Sequence, residues 1–206
     1  SHGDRVIDLV EEGPCTYTVM EEFRGKPMDS LPVPMDAEIV HRYAEQILQV
    51  LDYLHTREPV IVHRDLRPGC ILVSTHGTVQ LLGSALARVV HSSVAKTLFR
   101  GGGSPEFAAP GQLAGAPSQP THDLYSAGAV FYYLLTGKPP TPGLQRLRSG
   151  EALEELPASV PASLAKVTMG LLEVEPENRP ASAAVALEVL CAHAERGQVS
   201  LPELAT

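Results

Sequence analysis

The chain has 206 residues, of which 44% are hydrophobic and 19% are charged, a balance typical of globular proteins and not of disordered ones. Its formal net charge of −8 argues against nucleic acid as the main partner. The sequence contains no run of about eighteen apolar residues, so we expect no membrane-spanning segment. Its three cysteines are widely scattered, which indicates a reduced, cytoplasmic protein without a disulfide framework.

The start of the chain predicts two short strands and a connector. Val6 to Val10 and Tyr17 to Glu21 are rich in β-forming residues, and the Glu-Glu-Gly-Pro sequence between them is a turn signal. We therefore predict a β-hairpin. Residues 24–35 are rich in proline, which is typical of a segment that connects two elements without forming one.

The middle of the chain predicts a long helix and a second hairpin. Between Asp36 and Arg57 the apolar residues recur at helical spacing, which indicates an amphipathic helix. Two further β-rich pieces, Ile71 to Ser74 and Thr78 to Leu82, flank the dipeptide His76-Gly77. A glycine at that place favours a tight turn, so we predict that the two pieces pair.

The last part of the chain predicts a long loop and then helices. Residues 83–122 contain three consecutive glycines and several prolines, and a loop of that length in a compact domain is usually functional. Asp123 to Thr136 is so apolar that we expect a helix buried on all sides. Helical periodicity recurs in Ser163 to Glu173 and in Ala181 to Glu195. A few strands followed mainly by helices indicate the α+β class.

Four short motifs occur in the order of these elements. They are His63-Arg64-Asp65 after the long helix, Gly103 to Pro110 in the loop, Asp123 to Gly128 in the apolar helix, and Asn178-Arg179-Pro180 near the end. In this order the chain resembles the protein kinase fold from the fourth strand of the small lobe onward, and it is most similar to bacterial serine/threonine kinases. The motifs are similar to the catalytic loop, the end of the activation segment, the start of the buried sixth helix and the late conserved arginine.

The resemblance also divides the chain into lobes. Residues 17–23 look like the fifth strand running into the hinge, with Met20 as the gatekeeper and a hinge remnant formed by Met20, Glu21, Glu22 and Phe23. We expect an α+β, kinase-like fold that consists mainly of the helical large lobe. Residues 1–23 would be the small-lobe remnant, 24–196 the large lobe, and 197–206 a C-terminal tail.

The resemblance implies losses at the magnesium site of a kinase. Kinases hold magnesium with an Asp and an Asn, and a catalytic Asp orients the acceptor hydroxyl. Here the catalytic Asp is Asp65, but the Asn position is Cys70, and a thiol is not the hard oxygen ligand that magnesium prefers. The position of the metal-binding Asp-Phe-Gly is occupied by Gly83-Ser84-Ala85. We therefore expect neither a metal ion nor another cofactor.

Further parts of the kinase pattern are changed. The glycine-rich loop and the strand lysine would precede Val6, where only five residues stand. Ala109-Pro110 is followed by Gly111 and not by a glutamate, so we expect Arg179 to lack its usual partner. His63, Arg64 and Asp65 would then be vestigial, with His63, Asp123 and Arg179 in structural roles. We expect Asp123 to accept hydrogen bonds from the backbone of the His63-Arg64 turn.

The loop region offers two interpretations. Residues 83–105 carry basic side chains and no acidic one, which would suit docking of an acidic or phosphorylated partner. A solvated loop is the simpler interpretation and the favoured one. Hydroxyl groups that another kinase would phosphorylate are those of Ser92, Ser93, Thr97 and Ser104.

The leading hypothesis is a pseudokinase domain that is not an enzyme and that acts in signalling as a protein-interaction scaffold or an allosteric regulator. Its partner would be a protein, such as another kinase or its substrate, or a second copy, bound at the upper face around Leu72 and Leu82, which the missing small lobe leaves exposed. No partner is expected among nucleic acids or membranes. The alternatives are a C-terminal fragment of a serine/threonine kinase and a nucleotide-sensing module that binds ATP without magnesium.

Overall fold

A computed structural model of the protein describes residues 6–12, 15–20, 23–82, 88–89 and 104–192. Its strands are β1 (Val6–Glu12), β2 (Cys15–Met20), β3 (Gly25–Pro27), β4 (Ile61–Val62), β5 (Ile71–Ser74), β6 (Val79–Leu81) and β7 (Arg88–Val89). Its α-helices are α1 (Ala37–His55), α2 (Pro110–Leu113), α3 (Pro120–Thr136), α4 (Gly143–Ser149), α5 (Ala162–Leu171) and α6 (Ala183–Cys191). Short 3₁₀ helices occupy Met28–Ser30, Pro68–Cys70 and Pro176–Asn178. The fold is α+β, as predicted.

The first hairpin is present and is longer than predicted. β1 and β2 pair antiparallel from Val6 opposite Met20 to Glu12 opposite Cys15. The sequence placed the turn over four residues, Glu11 to Pro14. In the structure Glu11 and Glu12 belong to the strand, because their backbone groups continue the ladder with Thr16 and Cys15.

The predicted connector at residues 24–35 forms structure of its own. β3 pairs antiparallel with β5, and β5 pairs with β6, so the three strands form one sheet in the order β3, β5, β6. The 3₁₀ helix Met28–Ser30 follows, with the Met28 side chain fully buried. The prediction was wrong here because β3 obtains its hydrogen bonds from a strand that lies far away in the sequence, where local propensity carries no signal.

The second hairpin turns where the sequence predicted. Gly77 has a φ of 77°, in the left-handed region that glycine enters without steric cost.

The short strand β4 pairs with β7, with Ile61 opposite Val89 and Val62 opposite Arg88. The segment that follows β4 lies beside the end of the β5–β6 hairpin, because His63 Nε2 donates to the carbonyl oxygen of Leu82 at 3.0 Å.

The core is organised around α3, which is buried along most of its length. The helix begins at Pro120 and not at Asp123, since a proline is well suited to the first helical position. α1 and α5 pack on α3, and α6 packs on both of them. From α1 the fully buried side chains are those of Val40, Ala44, Ile47, Leu48 and Leu51. Burial of each such aliphatic side chain contributes about 1.5–3 kcal/mol before entropy is counted.

The predicted loop at residues 83–122 contains the short helix α2 and the first turn of α3. α2 has only four residues, with Pro110 at its first turn, so it leaves no periodic pattern to detect in the sequence. In the described part of the chain, no helix combines the length and the apolar character needed to cross a membrane.

Candidate functional site

The buried carboxylate of Asp123 fixes the backbone of the His63-Arg64-Asp65 segment. Asp123 lies in the first turn of α3 and is fully buried. Its Oδ2 accepts a hydrogen bond from the backbone N–H of His63 at 2.8 Å, and its Oδ1 accepts one from that of Arg64 at 2.8 Å. These are the two bonds that the sequence analysis expected of Asp123.

A histidine at the end of α1 completes the set of donors around this carboxylate. His55 Nε2 lies 2.9 Å from Asp123 Oδ2. A carboxylate only accepts, so the ring nitrogen donates. The loop is therefore tied to α1 and α3 at one point, and its position depends on how these two helices pack.

The backbone at Arg64 is held in a strained conformation. Arg64 has a φ of 74°, which is uncommon for a residue with a side chain and costs of order 1–3 kcal/mol. Contacts on both sides hold it there, because its N–H donates to Asp123 and its carbonyl oxygen accepts from the side-chain amide of Gln112 in α2. Asp65 directly follows this fixed residue, and its side chain is 22% exposed.

His63 joins the loop to the end of β6. Its side chain is 2% exposed, and its Nε2 donates to the carbonyl oxygen of Leu82 at 3.0 Å. The backbone N–H of Leu82 in turn donates to the carbonyl oxygen of Cys70 at 2.7 Å. Leu82, the last described residue of this segment, therefore lies beside the loop that carries Asp65.

Asp65 points out of the core and contacts two side chains of its own loop. Its carboxylate is 22% exposed. Arg67 Nε donates to Asp65 Oδ2 at 3.3 Å, and Cys70 Sγ donates to the same oxygen at 3.8 Å. Burial raises the pKa of the Cys70 thiol more than the charge of Arg67 lowers it, and Asp65 raises it further. The thiol is therefore protonated at neutral pH and remains a donor.

The late arginine does not depend on a carboxylate at position 111. Arg179 is 5% exposed and donates to the backbone carbonyl oxygens of Glu173 at 2.8 Å, Thr121 at 2.8 Å and Val174 at 2.9 Å. Burial lowers its pKa to about 10. The sequence analysis left Arg179 without its usual partner, and the structure satisfies the guanidinium with backbone oxygens.

Two further residues line the same region. The guanidinium of Arg179 also lies over the ring of Tyr125, 5.1 Å from its centroid. A Cβ at Gly111 would lie 3.3 Å from Nε2 of the buried His122. Position 111 therefore has little room for a larger side chain unless His122 moves.

Several predicted site residues lie outside the described residues. These are Glu21, Glu22, Gly83, Ser84, Ala85, Ser92, Ser93 and Thr97. Of the others, Met20 ends β2, Phe23 is half-buried, and Ser104 accepts at its carbonyl oxygen from the N–H groups of Phe107 and Ala108, both at 2.9 Å.

The structure adds residues that the sequence analysis did not assign to the site, among them His55, Arg67 and Gln112. Arg67 could have been suspected, because it stands two residues after Asp65 in the motif. Gln112 gave no such signal, since it meets Arg64 only through the packing of α2 against the loop.

Comparison with known proteins assigns the chain to a family. The protein kinase domain model matches residues 5–192. The probable serine/threonine-protein kinase PknB of Bifidobacterium longum is 35% identical over 133 residues, which cover 62% of this chain and 19% of that protein. A probable serine/threonine-protein kinase of Clostridium acetobutylicum is 30% identical over 186 residues, or 84% of this chain and 28% of the relative. The chain therefore belongs to the protein kinase family.

A third relative shows the same partial coverage. The serine/threonine-protein kinase PknA of Mycobacterium tuberculosis is 30% identical over 175 residues, which cover 82% of this chain and 40% of that protein. The chain thus spans less than half the length of these relatives. The predicted kinase-like α+β fold is confirmed by the family match.

The prediction that the chain is not an enzyme is wrong. The family match extends across most of the chain, and the relatives are serine/threonine kinases, which points to an enzyme of which this chain is a part. The prediction rested on the changes at positions 70 and 83 and on the missing glycine-rich loop and strand lysine. It gave too little weight to Asp65, which the structure holds on a fixed loop with its carboxylate partly exposed.

The residues at the magnesium positions do not fit that ion. Kinases hold it with an Asp and an Asn. Cys70 offers a protonated thiol directed at Asp65, and Gly83 has no side chain. Within the described ranges, no group of three or more His, Cys, Asp or Glu side chains could hold a metal ion. The chemistry that the chain's own side chains support is therefore centred on Asp65.

Proposed function

We propose that the chain is the large-lobe part of a serine/threonine protein kinase, in which Asp65 binds and orients the hydroxyl group that receives the phosphoryl group. The observation that carries the proposal is a partly exposed carboxylate on a loop whose backbone is fixed by buried Asp123. A carboxylate that is both accessible and immobile can hold a hydroxyl in one orientation. The names of the relatives support serine and threonine as the acceptors.

The two oxygens of Asp65 would have different tasks. Oδ2 is engaged by Arg67 and Cys70, so Oδ1 is the oxygen that we assign to the acceptor hydroxyl. As the new oxygen–phosphorus bond forms, the hydroxyl proton passes to Asp65, and the bond to the leaving diphosphate oxygen breaks with its electron pair. The transferred group comes from ATP as the second substrate.

A phosphate-transfer assay with the full natural protein tests this proposal. Radiolabelled ATP and casein are the substrates, and transfer to serine and threonine is measured by phosphoamino-acid analysis. Asp65→Asn keeps the size of the side chain and removes the proton acceptor, so we expect kcat to fall at least about a hundredfold. Glu151→Gln, which removes one exposed carboxylate in the segment after α4, is the matched control and should leave kcat unchanged.

Two results of this assay would overturn the proposal. One is the absence of transfer by the unaltered protein. The other is transfer by Asp65→Asn at the rate of the unaltered protein, which would mean that another group or a contaminating kinase carries the activity.

A protein-interaction role is the second candidate. It is favoured by Cys70, which leaves the loop without an oxygen ligand where kinases have one. The chain would then act as a scaffold or an allosteric regulator of a protein partner, through the upper face near Leu72 and Leu82, both of which remain partly exposed. If the Asp65→Asn variant regulates its protein partner as well as the unaltered protein does, that result would support this role over phosphoryl transfer.

A further inference from the structure

Asp29 and Arg67 meet at the single glycine of the catalytic loop. Asp29 lies in the 3₁₀ helix after β3, and Arg67 directly precedes the 3₁₀ helix Pro68–Cys70. A Cβ built on Gly69 would lie 2.7 Å from Asp29 Oδ2 and 2.8 Å from Arg67 Nη1. The carboxylate and the guanidinium therefore both border the small space that the missing side chain leaves.

Gly69 provides room and not an unusual backbone conformation. Its φ does not fall among the positive values recorded for other glycines of the chain, so an L-residue would meet no backbone strain. The atoms that an added Cβ would meet are the ends of two flexible side chains. A small side chain at position 69 would therefore displace those ends without disturbing the fold.

The two side chains that border the space at Gly69 are anchored differently. Asp29 follows Met28, which is fully buried, and Ser30 Oγ donates to the carbonyl oxygen of Pro27 at 2.6 Å, so the turn that carries Asp29 is firmly placed. The side chain of Arg67 is 40% exposed, and the neighbour that its Nε contacts is Asp65. The pKa of the Arg67 guanidinium is raised, first by the ionised form of Cys70 and also by the charges of the Asp65 and Asp29 carboxylates.

We infer that Asp29 is a positioning residue for phosphoryl transfer, which acts on Asp65 through Arg67. Asp29 confines the guanidinium on one side, and Arg67 Nε then holds Asp65 Oδ2 at 3.3 Å, leaving the other oxygen oriented toward the acceptor. The inference rests on the proposed function for its kinetic consequence. The arrangement Asp29–Arg67–Asp65 is itself independent of that function.

The expected effect is small, because Asp29 and Arg67 are both accessible to water and to salt. Interactions between exposed charges are worth less than one tenfold step in an equilibrium, so we expect Asp29→Asn to lower kcat about two- to fivefold. The KM for ATP should stay unchanged, since neither residue is assigned to the nucleotide. Glu151→Gln, with the same change of charge at a remote exposed site, should change neither constant.

Two further variants show whether the effect passes through Arg67. In an Arg67→Gln background, Asp29→Asn should have no additional effect on kcat. If the two residues acted independently, the fold-changes in kcat that the two substitutions cause would multiply. Gly69→Ala should reproduce the loss caused by Asp29→Asn while urea unfolding stays unchanged. An Asp29→Asn variant with unchanged kcat, or one that loses activity equally in both backgrounds, would overturn the inference.

A measurement without activity separates this inference from the proposed function. The Nε–H of Arg67 gives a ¹⁵N-resolved NMR signal that Arg67→Gln removes and thereby assigns. We expect Asp29→Asn to speed exchange of this hydrogen with water several-fold and Glu151→Gln to leave it unchanged. Unchanged exchange in Asp29→Asn overturns the inference, whereas absence of transfer by the unaltered protein overturns the proposed function and the kinetic consequence and leaves the arrangement Asp29–Arg67–Asp65 to be judged by this measurement.

Discussion

Asp123 is a fully buried carboxylate that accepts hydrogen bonds from the turn that it supports. A buried charge is tolerated only when donors surround it, and here they come from the loop and from His55 in α1. The same bonds offset the cost of the left-handed backbone at Arg64. Stability and the orientation of Asp65 therefore depend on one side chain.

Asp123→Asn tests this dependence. An asparagine of the same size has one acceptor oxygen, and its NH₂ group would face N–H donors in the core. We expect the free energy of unfolding to fall by about 2–4 kcal/mol, measured by urea denaturation at pH 7. Glu151→Gln should stay within about 0.5 kcal/mol of the unaltered chain. An equally small change for Asp123→Asn would show that the carboxylate charge is not needed there.

At the residue scale, the sequence predicted the backbone partners of Asp123, but it did not predict His55 as a partner, the contact of Arg64 with Gln112, or the position of Asp29 near Arg67. The first prediction was possible because Asp123 and the His63-Arg64 turn stand in recognisable motifs. Gln112 and Asp29 reach the loop from outside those motifs, 48 and some 38 residues away in the sequence from Arg64 and Arg67 respectively. Such contacts depend on how the elements pack, which spacing along the chain does not encode.

At the scale of elements, α1 is joined to the β5–β6 hairpin by Gln46. Its Oε1 accepts from the backbone N–H of Val79 at 2.9 Å, and its Nε2 donates to the carbonyl oxygen of Gly77 at 3.0 Å. One amide thus satisfies two backbone groups at the start of β6. Because β6 leads to Leu82, which accepts from His63, this contact also helps to place the loop.

Gln46→Ala should loosen the hairpin and lower the free energy of unfolding by about 1–3 kcal/mol, since two part-buried backbone groups lose their partner. Gln49→Ala is the matched control, because Gln49 lies on the same helix and its amide contacts only Glu45 at 3.4 Å in the described structure. Hydrogen exchange at the Val79 amide should quicken in the first variant alone. Equal effects of the two variants on unfolding would contradict this role.

The elements that the sequence predicted are those with strong local signals. α1 shows apolar periodicity and is capped by Asp36, whose Oδ1 accepts from Glu38 N at 2.8 Å, and α3 is mainly apolar after its first turn. β3 and α2 were missed for a common physical reason. They are short, and pairing or packing with distant parts of the chain stabilises them more than their own composition does.

At the scale of the whole molecule, the site lies where the end of α1, the start of α3 and the end of β6 come together. His55, Asp123 and Leu82 are the respective contact points. Asp123 and Leu82 bond to the loop that carries Asp65 directly, and His55 reaches it through Asp123. Loss of packing anywhere between α1 and α3 should therefore alter the position of the loop, even where the packed side chains do not contact Asp65.

The effect of nucleotide on stability is also measured on the whole molecule. A ligand that binds only the folded state raises the free energy of unfolding by RT ln(1 + [L]/Kd), or about 2.7 kcal/mol at a hundredfold excess over Kd. We expect ATP to stabilise the full natural protein equally with magnesium and with EDTA, since Cys70 and Gly83 supply no oxygen ligand. Cys70→Asn combined with Gly83→Asp should add a magnesium-dependent part, measured by thermal unfolding at constant ionic strength. A magnesium-dependent shift of the same size in the unaltered protein would mean that groups other than these two positions hold the ion.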